Sequence, residues 1–310
     1  MNIPVSHLQR WIQTRLLLAP VCVLLLASSA ISQPRPTRVA VLDLGSAATG
    51  LHVAADLREI FLIKDRSQYG RAFDVIDPDQ TRAAARGAGF DGSLNLTLQQ
   101  AKDLGAAIGC DFYFIGEAQT VRRSPSTKPI YYESYAAIFL VSARTGRLVL
   151  WERPSVQRDS PEESEKALRA ILSTQETRHR YIVALRRAQE DERAERVAAI
   201  ENSPAIIEVM SDDGTDTDKD VRAPRPYRRL KPPYPQTAAI AEVEATVDVL
   251  LDIDARGEIG RVEIARWAGY GLDQSVIGTV RQMHFFPAMR DGVAIPMRVL
   301  LRYNFRKPPR

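Results

Sequence analysis

The chain has 310 residues, which is long for a single domain and suits about two. A hydrophobic share of 45% allows buried cores, and 42 basic against 38 acidic residues leave a formal net charge of only +4. This near-neutral balance gives no support for a nucleic-acid-binding protein or for one that acts on acidic substrates.

The first 33 residues have the organisation of a secretory signal peptide. Arg10 and Arg15 give a positive start, an apolar run extends from Leu16 to Leu26, and small residues suited to cleavage follow. The apolar stretch is short of the roughly 20 residues that a spanning helix needs. The sequence therefore predicts export to the periplasm, with an uncleaved inner-membrane anchor facing the periplasm as the alternative. After cleavage Cys110 would be the only cysteine, which excludes an internal disulfide and suits a small buried hydrophobe.

Residues 37–174 predict a mixed-sheet α/β domain. Continuous apolar runs are typical of strands buried on both faces, and capping residues mark where helices begin. The predicted elements are a strand at 38–44, a helix around 53–61, a strand at 73–76, a helix from Asp77-Pro78, a helix from Thr97 to Gly109, a strand at 111–116, a long hairpin (131–141 and 148–156), and a helix opened by Ser160 and Glu163.

Four short stretches of this half resemble the small periplasmic α/β domain found at the N-terminus of TolB and in CsgG-like envelope proteins. They are Val39–Leu44, Phe73–Asp77, Leu104–Asp111 leading into Gly116, and Thr145-Gly146-Arg147. The resemblance implies an assembly or docking role and carries over no catalytic residues.

Residues 175–224 predict a charged helix followed by a flexible linker. Charged side chains dominate 176–200, and Glu192 and Arg196 have the i, i+4 spacing that supports a solvated helix. From Ser211 the chain turns acidic, then basic and proline-rich, which is typical of a linker. We expect a connector between two domains, with binding of a partner helix as the alternative.

Residues 225–307 predict a compact β-β-α-β domain. Apolar and polar residues alternate from Val243 to Ile253, a turn containing Gly257 follows, and the chain returns as a second strand over 259–264. A helical stripe over 272–283 ends before a proline, and alternation resumes in a final strand over 295–305. The fold class is therefore a two-domain α/β and α+β chain with a charged helical connector.

A series of ordered motifs in this region resembles the TonB C-terminal domain. They are Lys231-Pro232-Pro233-Tyr234-Pro235 with Ala238, the Asp-x-x-Gly-x-Ile turn from Asp254 to Ile259, Gly271-Leu272-Asp273 at a helix start, Phe285-Phe286-Pro287-Ala288, and Gly292 to Pro296. Two positions depart from the usual pattern. The glycine expected before the first strand is missing around 242–244, and Trp267-Ala268-Gly269 stands where Ser-Ser-Gly is usual.

The final strand is the candidate binding site that this resemblance implies. If the strand lies at the sheet edge, its backbone groups can add an extended peptide as another strand, with arginines available for acidic side chains. The candidate partner-binding residues are Arg298, Val299, Leu300, Leu301, Arg302 and Tyr303. The alternative is that Arg298 and Arg302 only protect the edge from aggregation or contact the same chain.

The sequence predicts no catalytic, cofactor or metal site. The loop Gly45–Gly50 lacks the Lys-Ser/Thr of a phosphate-binding loop, and the acidic stretch 212–220 lacks the glycine and glutamate of a calcium-binding loop. His52, His179 and His284 are isolated, and no Gly-x-Ser-x-Gly motif occurs. We therefore expect a protein that is not an enzyme.

Two functional hypotheses follow. The first is a periplasmic TonB-family protein whose C-terminal domain binds an envelope partner by strand addition, with a TonB-dependent outer-membrane receptor or an inner-membrane complex as the partner. The short apolar leader and short proline-rich stretch (224–235) argue against energy transduction itself. The second is a structural or assembly factor of the cell envelope that docks, or forms homo-oligomers, through its N-terminal α/β domain.

Overall fold

The computed structural model describes residues 35–62, 73–124, 126, 129–201, 208–210 and 221–307. The predicted leader and the acidic stretch 212–220 lie outside these ranges, so the expectations placed on them stay predictions. Among the described residues, no helix combines the length and apolar character needed to cross a membrane.

The N-terminal half, residues 37–201, follows the predicted order of elements. They are β1 (Thr37–Val41), α1 (Ala48–Leu62), β2 (Phe73–Val75), α2 (Pro78–Gly87), α3 (Leu98–Ile108), β3 (Phe112–Arg123), β4 (Tyr131–Ser142), β5 (Leu148–Glu152), β6 (Ser155–Arg158), α4 (Pro161–Leu172) and α5 (Gln175–Glu201). Asp77 caps α2, a capping box joins Thr97 and Gln100 at the start of α3, and Gly109 ends α3 in the left-handed conformation. These local signals were sufficient to place the helices.

A mixed sheet forms the centre of this half. Its strand order is β2-β1-β3-β4-β5, with β6 pairing the other end of β4. The β1 strand is parallel to β2 and β3, whereas β3, β4 and β5 are antiparallel. The second arm of the predicted hairpin is divided between β5 and β6 at Arg153-Pro154, because proline has no N–H to donate to a ladder.

The helix α5 is part of the N-terminal core along its first half. Tyr181, Ile182 and Leu185 are at most 1% exposed and pack with α1 and α4 on one face of the sheet. Further along, Glu192 accepts hydrogen bonds from Ser142 Oγ (2.5 Å) and Arg144 Nε (2.6 Å). The expectation of a solvated connector was therefore wrong for this part of the helix, because a narrow apolar stripe is enough to cover the sheet.

The C-terminal half, residues 208–307, contains the predicted β-β-α-β core with short strands added. Its elements are β7 (Glu208–Met210), β8 (Val221–Arg222), β9 (Arg225–Pro226), α6 (Gln236–Ile240), β10 (Ala245–Ile253), β11 (Ile259–Arg266), α7 (Leu272–Val280), β12 (Phe285–Phe286), β13 (Ala288–Arg290), β14 (Val293–Ile295) and β15 (Met297–Phe305). The principal sheet has the order β11-β10-β15-β7. In the β10–β11 turn, Gly257 has φ 85°, and a Cβ there would lie 1.9 Å from the Phe285 carbonyl oxygen, so only glycine fits.

The two halves share one hydrophobic cluster, centred on Trp267. This side chain is 2% exposed, stacks on Phe139 of β4 at 5.7 Å, and donates a hydrogen bond from Nε1 to Gly146 O at 3.0 Å. Asn95 adds bonds to Thr246 O and Trp267 O at 2.8 and 2.7 Å. The described residues from Pro36 onward accordingly form one compact unit. We call these contacts of Trp267 and Asn95 the Trp267 contact.

Candidate partner-binding strand

The strand β15 is paired on both sides at its start. It pairs antiparallel with β10 from Met297 to Phe305, and β7 pairs in parallel with its first three residues, Met297–Val299. The expected open edge is therefore covered at this point by the chain itself. The strand β7 was not predicted, although residues 206–210 are rich in β-branched side chains, which favour strands.

Half of the candidate residues place their side chains in the core. Val299 and Tyr303 are 7% and 8% exposed, and Leu301 packs against the same cluster beneath the sheet. The Tyr303 hydroxyl lies 3.6 Å from Met283 Sδ. These residues can contribute their backbone groups to a partner, but their side chains hold the domain together.

The other candidates lie on the outer face of the sheet, where arginines pair with carboxylates of β10. The Arg298 guanidinium binds Asp252, with Nη2–Oδ2 at 2.8 Å, and Arg302 binds Asp248, with Nε–Oδ1 at 2.7 Å. The strand register brings these pairs directly opposite one another, with Leu300 half-buried between them. Both arginines therefore contact the same chain, which was the predicted alternative to partner binding.

Asp248 is the most enclosed acid of this row. It is 4% exposed and also accepts a hydrogen bond from Arg266 Nε at 3.2 Å. Burial raises the pKa of Asp248, but the hydrogen bonds and charges of Arg302 and Arg266 outweigh this and leave the pKa lowered. The carboxylate is thus a fixed anion that orients Arg302.

The basic segment preceding the domain runs beside the far part of β15. Arg229 Nη2 donates to Arg302 O at 3.3 Å, and its guanidinium lies 5.9 Å from the centre of the Tyr303 ring. The outer side of β15 is therefore approached by β7 at its start and by Arg229 further along. Both contacts come from residues that precede the β-β-α-β core in the sequence.

A groove of about 990 Å³ separates the last strand of each sheet, β5 and β11. Leu148, Leu150 and Ile264 line its walls together with the indole of Trp267. Arg147 bridges the groove by binding Glu263 of β11 at 2.8 Å. An extended segment placed here would have strand backbone on both sides.

A buried carboxylate, Asp273, also lines the groove. It is 5% exposed at the start of α7 and accepts hydrogen bonds from Ala268 N and Gly269 N at 2.9 and 2.8 Å. Burial raises the pKa of Asp273 to about 6, and the two backbone N–H groups reduce this rise. The Asp273 carboxylate thus fixes the backbone that directly follows Trp267.

The fold also joins residues that are distant in sequence within the N-terminal half. His52 was expected to be isolated, but its Nδ1 lies 2.6 Å from Glu165 of α4, which also accepts a hydrogen bond from Thr49 Oγ1 at 2.8 Å. Sequence spacing could not predict this contact, because only the packing of α1 on α4 brings the two residues together. Cys110 is half-buried, and burial raises the pKa of its thiol to about 12. In the described ranges, no group of three or more His, Cys, Asp or Glu side chains is arranged to hold a metal ion.

The order of elements and the sheet define the class of domain: a small β-β-α-β module with its last strand near the sheet edge. Residues 231–306 match the family model for the C-terminal domain of the Gram-negative bacterial TonB protein. This match supports the resemblance drawn from the motifs. No curated protein matches the chain. The resemblance of the N-terminal half to TolB and CsgG-like domains stays a prediction.

Several solved structures are similar to parts of the chain. The solution structure of the Pseudomonas aeruginosa TonB C-terminal domain is 22% identical, covering 33% of this chain and 96% of that one, with a TM-score of 0.26. Lipoprotein GNA1162 from Neisseria meningitidis is 13% identical over 44% of this chain and 94% of its own, with a TM-score of 0.30. The LpoB C-terminal domain from Salmonella enterica is 14% identical over 41% and 87%, with a TM-score of 0.24. At these values the solved structures support no further conclusion, and the family match concerns residues 231–306.

Proposed function

We propose that the protein is a non-enzymatic periplasmic adaptor of the cell envelope. Its C-terminal half would bind an extended segment of another envelope protein, which adds to the sheet as a strand along residues 298–303 of β15. A TonB-dependent outer-membrane receptor is the partner that the family match at 231–306 favours. The protein would act as a binding module, without transmitting force across the periplasm.

The pairing of β7 with β15 is the observation that carries this proposal. The chain's own β7 lies on the side of β15 remote from β10, in parallel over Met297–Val299, which supports strand addition on this side. A ladder of this length is short, and parallel pairing is slightly less stable per residue than antiparallel pairing. A longer partner strand extending beyond Val299 would therefore replace β7 with a net gain of backbone hydrogen bonds.

The chemistry of the outer face determines what such a partner can use for recognition. Because Arg298 and Arg302 are bound to Asp252 and Asp248, they do not offer a bare positive row. Affinity would come mainly from backbone pairing. The Arg302 side chain is still 51% exposed, so it can share a second carboxylate and favour a partner segment that carries an acid at that position.

Photo-crosslinking in the living cell tests the proposal. A benzoylphenylalanine at Leu300 or Asn304 should capture an envelope protein through an extended segment, identified by mass spectrometry of the crosslinked peptide. The matched control is the same residue at Arg261 on β11, the opposite end of the sheet, which should not capture that segment. Crosslinks from Leu300 only to the chain's own residues 208–210, or equal capture from Arg261, would contradict strand addition at β15.

A second candidate function is favoured by β5, the last strand of the N-terminal sheet. Its residues Leu148–Trp151 are consecutive, apolar and only half-buried, which is typical of an edge that pairs with another chain. We infer that an assembly role through the N-terminal half would use this strand. Substituting Val149→Lys should then abolish any oligomer detected by light scattering, whereas a monomeric wild type would exclude self-association as the role.

A further inference from the structure

A two-stranded ribbon on the C-terminal half, β9 paired with β12, carries an exposed aromatic pair. Tyr227 and Phe286 are 60% and 51% exposed, and their rings meet edge to face with centroids 4.2 Å apart. Phe286 pairs with Arg225 across the ribbon, and Tyr227 N donates to His284 O at 2.8 Å. Cross-strand partners project on the same side, so all four exposed side chains share one face. We call it the ribbon face.

The opposite side of the ribbon is fixed in the core. Phe285, between the exposed His284 and Phe286, is 1% exposed and belongs to the main hydrophobic cluster. Its carbonyl oxygen lies against Gly257 in the neighbouring turn, where no side chain would fit. The aromatic pair is therefore held outward by buried neighbours and cannot fold into the core without breaking them. Single exposed apolar residues are common, but a rigidly presented pair is the kind of feature that marks an interaction site.

The segment that contains the ribbon strand β9 is rich in positive charge. The segment 222–231 holds five cationic residues and no acidic one: Arg222, Arg225, Arg228, Arg229 and Lys231. All are exposed, and in the described part of the chain Arg222, Arg225, Arg228 and Lys231 form no ion pair. The arginines of β15 differ, because each is bound to an aspartate. The acid Glu258 lies near the ribbon, with Oε1 3.9 Å from His284 Nδ1.

We propose that the ribbon face docks on an anionic phospholipid membrane. Aromatic rings with polar tips are favoured at the headgroup level of a bilayer, where Tyr227 and Phe286 would lie. Arginine and lysine nearby would bind lipid phosphates, each contributing through attraction to the negative surface. A two-residue ribbon presents a flat face rather than a groove, which fits a planar surface better than a peptide. Docking would hold β15 near proteins embedded in the same membrane.

Vesicle flotation of the full chain tests this assignment. The probes are vesicles of equal parts phosphatidylethanolamine and phosphatidylglycerol, compared with phosphatidylcholine alone. Arg225→Gln with Arg228→Gln should weaken binding to anionic vesicles about fivefold for each cation removed. Tyr227→Ser with Phe286→Ser should weaken binding to a similar degree, and added salt should weaken the wild type. Since each variant keeps residues 1–34, any contribution of that segment is common to all.

A matched control removes the same chemistry from another exposed surface. Arg193→Gln, Arg196→Gln and Val197→Ser on α5 delete two exposed cations and a side chain that is 54% exposed. This variant should bind vesicles like the wild type, and circular dichroism should report an unchanged fold for every variant. The proposal is overturned if the ribbon variants bind anionic vesicles as well as the control does. It is equally overturned if the ribbon substitutions reduce binding to purified peptidoglycan sacculi and leave vesicle binding unchanged.

Discussion

The two sheets of the protein differ in what covers their faces. In the N-terminal sheet, Phe114 and Ile138 point to one side and Tyr113 and Phe139 to the other, and all are buried. In the C-terminal sheet, one face packs on α7 whereas the other carries the aspartate–arginine row of β10 and β15. A sheet buried on both faces serves as a scaffold. A sheet with one polar face and a short strand at its side has surface left for a partner.

The Trp267 contact joins these two kinds of sheet. The C-terminal half covers part of the N-terminal sheet, on the face that holds Tyr113 and Phe139. Burial of this face therefore requires the TonB-like domain. Trp267 stands at one of the positions where the sequence departs from the usual TonB-like pattern. Packing against the N-terminal half is a physical reason for this departure, because Trp267 is the residue that makes the contact.

The substitution Trp267→Ala should have the largest effect on stability and on the joint unfolding of the two halves. Removing a fully buried aromatic side chain leaves a cavity and costs about 3–5 kcal/mol of unfolding free energy. Because the side chain lies between the halves, urea unfolding should also separate into two transitions. Trp267→Phe, which keeps an aromatic ring on Phe139 but loses the hydrogen bond to Gly146 O, should cost about 1 kcal/mol in addition to any repacking. A loss below about 1 kcal/mol for Trp267→Ala would contradict the contact.

The pH dependence of stability should depend on Asp273. Its folded pKa, about 6, lies above the ordinary value of 3.8, so between these values the folded state binds a proton that the unfolded state has released. The unfolding free energy should therefore fall as the pH rises from about 4 to about 7, by up to about 3 kcal/mol at 1.36 kcal/mol per pKa unit. In Asp273→Asn this part of the pH dependence should disappear. Parallel urea-unfolding profiles for the two proteins across this range would exclude the assignment.

Substitutions on the polar face of the C-terminal sheet should cost less unfolding free energy than Trp267→Ala. The cost should differ between Asp248 and Asp252. Asp248→Ala leaves Arg302 and Arg266 without their shared carboxylate and should cost about 2 kcal/mol, reduced by the exposure of Arg302. Asp252→Ala removes a carboxylate side chain that is 17% exposed, against 5% for Asp248, and should cost less than about 1 kcal/mol. Thermal unfolding of both variants measures the difference. Equal losses at the two positions would contradict the enclosed character of Asp248.

The smallest effect on stability is expected from Val209→Pro in β7. Proline removes a backbone N–H from the ladder with Arg298, so the unfolding free energy should fall by about 1 kcal/mol or less. Crosslinking from Leu300 to an envelope partner should increase, because the competing strand is weakened. Reduced capture in this variant would indicate that β7 forms part of the partner site and does not compete for it.

Local signals in the sequence predicted most of the fold. The caps at Asp77 and Thr97, the glycine turn at Gly257 and the alternation along β10 and β15 depend on neighbouring residues, and the structure confirms them. The pairing of Arg302 with Asp248 depends on strand register, which no single stretch contains. Pairs such as this one follow from tertiary packing and could not be derived from spacing alone.

The strand that holds the candidate residues was predicted, but the elements around it were not. The strand holding Arg298 to Tyr303 forms as expected, yet β7 was assigned to no element because three residues give a weak pattern. The role of Trp267 was equally hidden, since its partners Phe139 and Gly146 lie more than a hundred residues away in the sequence. The one sequence signal that could have indicated this role was that Trp267 departs from the usual TonB-like pattern.

Amide hydrogen exchange along β15 tests the central claim most directly. The full chain would be compared alone and in complex with the envelope protein captured through Leu300. Strand addition predicts added protection of backbone amides within 298–303 and faster exchange within 208–210, with β11 unchanged. Protection confined to β5 or β11, or no change along β15 when the partner is bound, would contradict the account.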